Sequence, residues 1–102
     1  MKVQVQAIHF DADVKLIEFI EKKANKLSTF FDRIIDIEVF LKVAKKETRN
    51  NKIVEFRINV PGNTLFATES GDTFEAATDE VLEAMKSQLK KHKEKLTTSH
   101  TL

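Results

Sequence analysis

Cysteine is absent from this 102-residue chain, which excludes disulfides, thiolate metal sites and a cysteine nucleophile. Glycine occurs only twice, too seldom for a glycine-rich loop that cradles phosphates. No apolar run is long enough to span a bilayer. The opening Met1-Lys2-Val3-Gln4-Val5-Gln6 alternates apolar and polar residues, unlike the apolar core of a signal peptide. A soluble cytoplasmic protein is expected. Neither charge is in excess, because 17 Lys+Arg against 16 Asp+Glu leave a formal +1. Any basic patch must therefore be a matter of arrangement.

Catalytic constellations are also missing. The carboxylates fall on helix faces and solvent-facing strand positions, and Ser28, Ser70, Ser87 and Ser99 have no matching base in sequence context. His9 and His100 are too isolated to complete a metal site. His92, near an apolar stripe, reads more readily as a packed boundary residue than as a ligand. No enzyme, cofactor, metal centre or small-molecule substrate is expected.

What is present is hydrophobic periodicity. With 41% hydrophobic residues the chain suits one compact domain, residues 1–96, followed by a polar tail at 97–102. Val3, Val5 and Ala7 alternate with Gln4 and Gln6 as in a half-buried strand. From Asp13, a plausible N-cap, Leu16, Ile17, Ile20, Ala24 and Leu27 recur at three- and four-residue spacings and predict an amphipathic helix. After Phe30-Phe31-Asp32-Arg33, the residues Ile35, Ile37, Val39, Leu41 and Val43 alternate strictly with their neighbours. The polar stretch Lys45 to Asn51 joins this strand to another with Val54, Phe56, Ile58 and Val60 on one face, a hairpin signal. Pro61-Gly62-Asn63 turns into a shorter strand, Thr64 to Ser70. A last helix opens at Gly71-Asp72-Thr73, with Asp72 or Thr73 as its cap and Phe74, Ala77, Val81, Met85 and Leu89 as its buried stripe.

The resulting fold class is α+β, in the order β-α-β-β-β-α. A right-handed crossover and two hairpins make both helices point the same way on one face of a four-stranded sheet. Their C-terminal ends are then expected side by side. The first helix ends in Lys22, Lys23 and Lys26, with Arg33 where the chain enters the second strand. The last helix gathers Asp72, Glu75, Asp79, Glu80 and Glu83 early and Lys86, Lys90, Lys91, Lys93 and Lys95 late. Offsetting the helix dipole accounts for part of this segregation, at about 0.3–1 kcal/mol per charge. That effect acts within the last turn, and Lys86 and Lys90 lie before it. Clustered cations matched to phosphate spacing point to nucleic acid. On the opposite sheet face Phe40, Arg57 and Phe66 are expected together, covering one another through cation–π contacts, stacking on bases or forming a dimer or crystal contact.

Four segments carry a family resemblance: "KLSTFFDRI" (Lys26 to Ile34), "VFLKV" (Val39 to Val43), "GDTFEAATDEV" (Gly71 to Val81) and "QLKKHKEKL" (Gln88 to Leu96). In this order and at these separations the chain resembles the ribosome hibernation-promoting factor family, also called protein Y or ribosome-associated inhibitor A. The resemblance implies a domain that binds the small ribosomal subunit in the channel for messenger and transfer RNA, touching ribosomal RNA through basic helix ends and silencing idle ribosomes. The family's basic positions fall on Lys23, Lys26, Lys91, Lys93 and Lys95, and Arg33 matches its "DRI" segment. Lys22, Lys86 and Lys90 join the candidate set on physical grounds. Phe74 stands where the family has an aromatic residue, and Thr78 departs from its usual apolar residue. The length resembles the short form, which lacks a dimerisation domain, and a monomer is expected off the ribosome. The alternative is a protein-binding regulatory module of the sigma-factor modulator type, without ribosome binding.

Overall fold

The computed structural model describes residues 1–44 and 49–100, with side chains through Lys95. The elements run β1 (Lys2–Ala7), α1 (Val14–Asn25), a 3₁₀ turn (Lys26–Thr29), β2 (Asp36–Val43), β3 (Lys52–Val60), β4 (Asn63–Gly71) and α2 (Phe74–His100). The sheet order is β1-β2-β3-β4, with β1 parallel to β2 and both other pairings antiparallel. This is the β-α-β-β-β-α order that the periodicities predict. Part of the expected Lys45–Asn51 connection, residues 45–48, lies outside the described residues, as do 101–102 of the expected tail. The helical backbone of α2 itself continues to His100.

Alternation decides which face of each central strand meets the helices. Ile37, Val39 and Leu41 of β2 and Val54, Phe56 and Ile58 of β3 are fully buried, and their neighbours in sequence face away. From the helices, Ile20 and Ala24 of α1, Leu27 of the 3₁₀ turn, and Ala77, Val81, Met85 and Leu89 of α2 close the core. Burying one such aliphatic side chain is worth about 1.5–3 kcal/mol, so this shared face dominates stability. Thr78 is buried among them without an unsatisfied hydroxyl, because its Oγ1 donates to the Phe74 carbonyl at 2.7 Å.

The phase at the start of β2 differs from expectation. Ile34 is buried and Ile35 is 55% exposed, because the strand begins only at Asp36 and the chain is still turning before it. Ile35 instead donates its backbone N–H to the Asn59 carbonyl at 2.8 Å. Polar side chains then lock the end of the sheet: Asn59 Nδ2 donates to Asp36, and Thr64 Oγ1 donates to Asn59 Oδ1 at 2.9 Å. At the hairpin tip Val60 pairs with Asn63, and the intervening Gly62 has φ 78°, the left-handed conformation that follows proline in a type II turn.

The cap of α2 is Thr73, whose Oγ1 accepts the Ala76 N–H at 3.0 Å. Asp72 serves another purpose. Its carboxylate accepts the Asn50 N–H at 2.9 Å and ties the end of the β2–β3 connection to the start of α2. The two helices are parallel, yet their ends are staggered and not side by side. Lys23 and Lys26 lie beside the Asp79–Lys86 stretch of α2, which runs on from there to His100. The cause is length: α1 has 12 residues and α2 has 27, about 18 Å against about 40 Å of rise.

Candidate nucleic-acid interface

The lysines of α1 stand where the helix leaves backbone carbonyls without partners. Lys22 and Lys23 occupy the last turn and Lys26 is the C-cap, its N–H bonded to the carbonyls of Ala24 and Lys23. The chain then tightens into the 3₁₀ turn, with Ser28 and Thr29 hydroxyls donating to the carbonyls of Asn25 at 2.8 Å and Lys26 at 2.7 Å. The Phe30 N–H donates to the Leu27 carbonyl at 3.0 Å. This tight exit separates two adjacent aromatic residues. Phe31 enters the core at 6% exposure, and Phe30 faces solvent at 45%.

Phe30 sits between two depressions. The first, of about 580 Å³, has Lys23, Lys26, Thr29 and Phe30 on one wall and Asp79, Glu83 and Lys86 on the other. Glu80 and two leucines, Leu27 and Leu82, complete it. The second, of about 450 Å³, is bounded by Phe30, Glu83, Lys86, Ser87, Lys90 and Lys93. Because Phe30, Glu83 and Lys86 belong to both, they form one groove along α2. Its charge changes along its length. Three carboxylates balance three ammonium groups near α1, whereas three lysines face one carboxylate farther along.

Helical spacing sorts the late lysines into two rows. Lys86, Lys90 and Lys93 fall within about 60° of one another around α2, toward Phe30. Lys91 and Lys95 lie about 140–180° from Lys86, on the flank shared with Gln88. That flank faces the sheet edge, since Gln88 Nε2 donates to the Phe66 carbonyl of β4 at 2.6 Å. The groove therefore gathers Lys23, Lys26, Lys86, Lys90 and Lys93 from the candidate set. Lys22, Arg33, Lys91 and Lys95 are exposed outside it.

Within the groove Lys86 has two partners, the Glu83 carboxylate at 3.3 Å and the Phe30 ring, 5.3 Å from its centroid. Lys23 lies 5.5 Å from the Phe19 ring. Each ammonium group thus lies against an aromatic ring. His92 packs edge-on against Phe31 at 5.3 Å, in the manner of a boundary residue. Phe30 and Glu83 are missing from the candidate site residues that the sequence suggests. The signal for Phe30 is the aromatic pair itself, because consecutive residues leaving a helix do not share a face.

On the opposite sheet face, Arg57 lies 5.4 Å from the centroids of both Phe40 and Phe66. Its Nε is buried without a hydrogen-bond partner among the described residues, so the guanidinium is held by the rings. Lys42 and Glu55 pair beside it at 3.6 Å. Both aromatics are engaged with Arg57.

Residues 3–97 match the family described as sigma 54 modulation protein / S30EA ribosomal protein. The chain belongs to that family. Similar members include the ribosome hibernation promoting factor of Escherichia coli (strain K12), 31% identical over 96 residues, covering 94% of this chain and 97% of that protein. The Pseudomonas putida protein of the same name is 30% identical over 95 residues, covering 93% of this chain and 89% of its own. A ribosomal subunit interface protein from Coxiella burnetii shares the fold with a TM-score of 0.82 at 27% identity, over 91% of this chain and 98% of that one. The N-terminal domain of Thermus thermophilus Protein Y matches in fold with a TM-score of 0.72 at 21% identity, over 89% and 94% of the two chains.

Proposed function

We propose that this protein is a ribosome hibernation factor. It binds the ribosomal RNA of the small subunit and occupies the channel used by messenger and transfer RNA in idle ribosomes. The carrying observation is the groove in which Lys23 and Lys26 from one helix end meet Lys86, Lys90 and Lys93 from the other helix. In a chain of net charge +1, five lysines against Asp79, Glu80 and Glu83 in one groove, with the excess toward Lys90 and Lys93, fit a polyanion better than a general surface role. Lys22, Arg33, Lys91 and Lys95 widen the footprint on either side. The relatives named for ribosome hibernation support the same partner.

Sedimentation of a stationary-phase lysate tests this reading. Comigration with small subunits and whole ribosomes, and loss of translation in a reconstituted system on addition of the protein, are the expected results. The family description also names sigma 54 modulation. A pool that stays free of ribosomes or travels with RNA polymerase would favour that second reading.

A further inference from the structure

Phe30 has no structural need to be exposed as a large flat ring. Its neighbour Phe31 already fills the core position at this corner, and a polar residue would satisfy a solvent-facing site after the 3₁₀ turn. With Lys86 beside its ring, 45% of Phe30 remains open to solvent. It borders both parts of the lysine groove. Few surface positions combine an open aromatic with cations on both sides.

We infer that Phe30 is a stacking platform for an unpaired nucleobase of ribosomal RNA, with Lys23, Lys26, Lys86, Lys90 and Lys93 holding the phosphates on either side of it. This rests on the RNA-binding reading above and gives it a ligand chemistry. A base within a duplex is stacked on its neighbours and offers only edges and backbone, so an aromatic ring selects single-stranded nucleotides. The lysines alone would accept either form. Phe40 and Phe66 are poorer platforms, since Arg57 bridges their two rings and neither borders the lysine groove.

The absence of tryptophan and tyrosine makes the test direct, because Phe30→Trp introduces a sole indole fluorophore. On saturation with a short single-stranded RNA, that indole emission is quenched, and the same RNA annealed into a duplex leaves it unchanged. On purified small subunits, Phe30→Ala and Phe30→Leu bind about 5- to 150-fold more weakly, the effect of unstacking one base, while Phe30→Trp and Phe30→Tyr retain binding. The salt slope of binding stays the same in all four, because no cation is removed. Melting temperatures should fall only slightly in the Ala and Leu variants, which lose the ring's contact with Lys86, and stay unchanged in the Trp and Tyr variants, so the Leu and Tyr variants keep the comparison valid if Ala perturbs the turn. Stacking is overturned if Phe30→Leu binds like the parent, or if the indole emission is unaltered at saturation. It is equally overturned if the weakening appears on intact subunits but not on protein-free ribosomal RNA, which would assign the ring to a ribosomal protein. Failure of the unaltered protein to bind subunits would instead remove the RNA reading itself, whereas steep salt-dependent binding indifferent to Phe30 removes only the stacking.

Discussion

Lys86 holds its ammonium 5.3 Å from the centroid of the Phe30 ring, so a residue in the middle of α2 closes over the turn that ends α1. That contact joins two elements into one groove and fixes where the cationic row begins. The same ammonium lies 3.3 Å from the Glu83 carboxylate one turn earlier. Glu83 is thus placed to compete with any phosphate that approaches Lys86.

Replacing Glu83 with Gln should therefore strengthen ribosome binding, by about 2- to 10-fold, the scale of one solvent-screened charge interaction at short range. The fold should be little affected, since exposed pairs contribute about 0–1 kcal/mol. Parallel binding and melting measurements check both halves. Weaker binding by the variant would mean that Glu83 positions Lys86 productively and does not compete.

The Phe40/Arg57/Phe66 face should behave in the opposite way. Alanine at Phe40 and Phe66 should lower stability by at least the roughly 0.5–1 kcal/mol of each exposed cation–π contact, and leave subunit affinity nearly intact. Denaturant unfolding and ribosome pelleting on the same variants check this. A fall in affinity as large as that from lysine removal would move the interface to the sheet.

Gly62→Ala probes the fold apart from the site. Nothing lies within 4 Å of the added Cβ, so its cost is backbone strain at φ 78° alone. About 1 kcal/mol is expected, lowering the melting temperature by about 4–8 °C with binding unchanged at temperatures where the domain is folded. Thermal unfolding followed by circular dichroism measures it.

Much of this arrangement is legible in the sequence, for identifiable reasons. Val54, Phe56, Ile58 and Val60 alternate without exception, and each is buried on the helix-facing side of β3. Ile20, Ala24 and Leu27 likewise keep the helical stripe and reach the core. Periodicity fails where periods meet: Ile34 and Ile35 are chemically identical, and only the turn before Asp36 decides which is buried. Capping is ambiguous between Asp72 and Thr73 in the sequence because both side chains can accept an N–H, and the Asn50 group that occupies Asp72 is distant along the chain. For the candidate site, the three- and four-residue spacing of Lys86, Lys90 and Lys93 puts them on one face of α2, and these three line the groove together. The stagger of the helices, and with it the partnership of Lys23 and Lys26 with Lys86, depends on α2 running on to His100, which the spacing of its lysines does not encode.

Salt-dependent ribosome binding by a charge-reversed variant decides whether the lysine groove binds phosphates. With Lys90 and Lys93 changed to Glu on α2 and Lys23 changed to Glu on α1, affinity should fall. The log–log salt slope should flatten by about 0.7–0.9 for each phosphate that the variant no longer neutralises. The melting temperature should change little, since these side chains lie at the surface. Dipole compensation alone would produce a modest stability loss with binding unaltered. A variant that binds small subunits with the parent's affinity and slope while melting early would contradict the account.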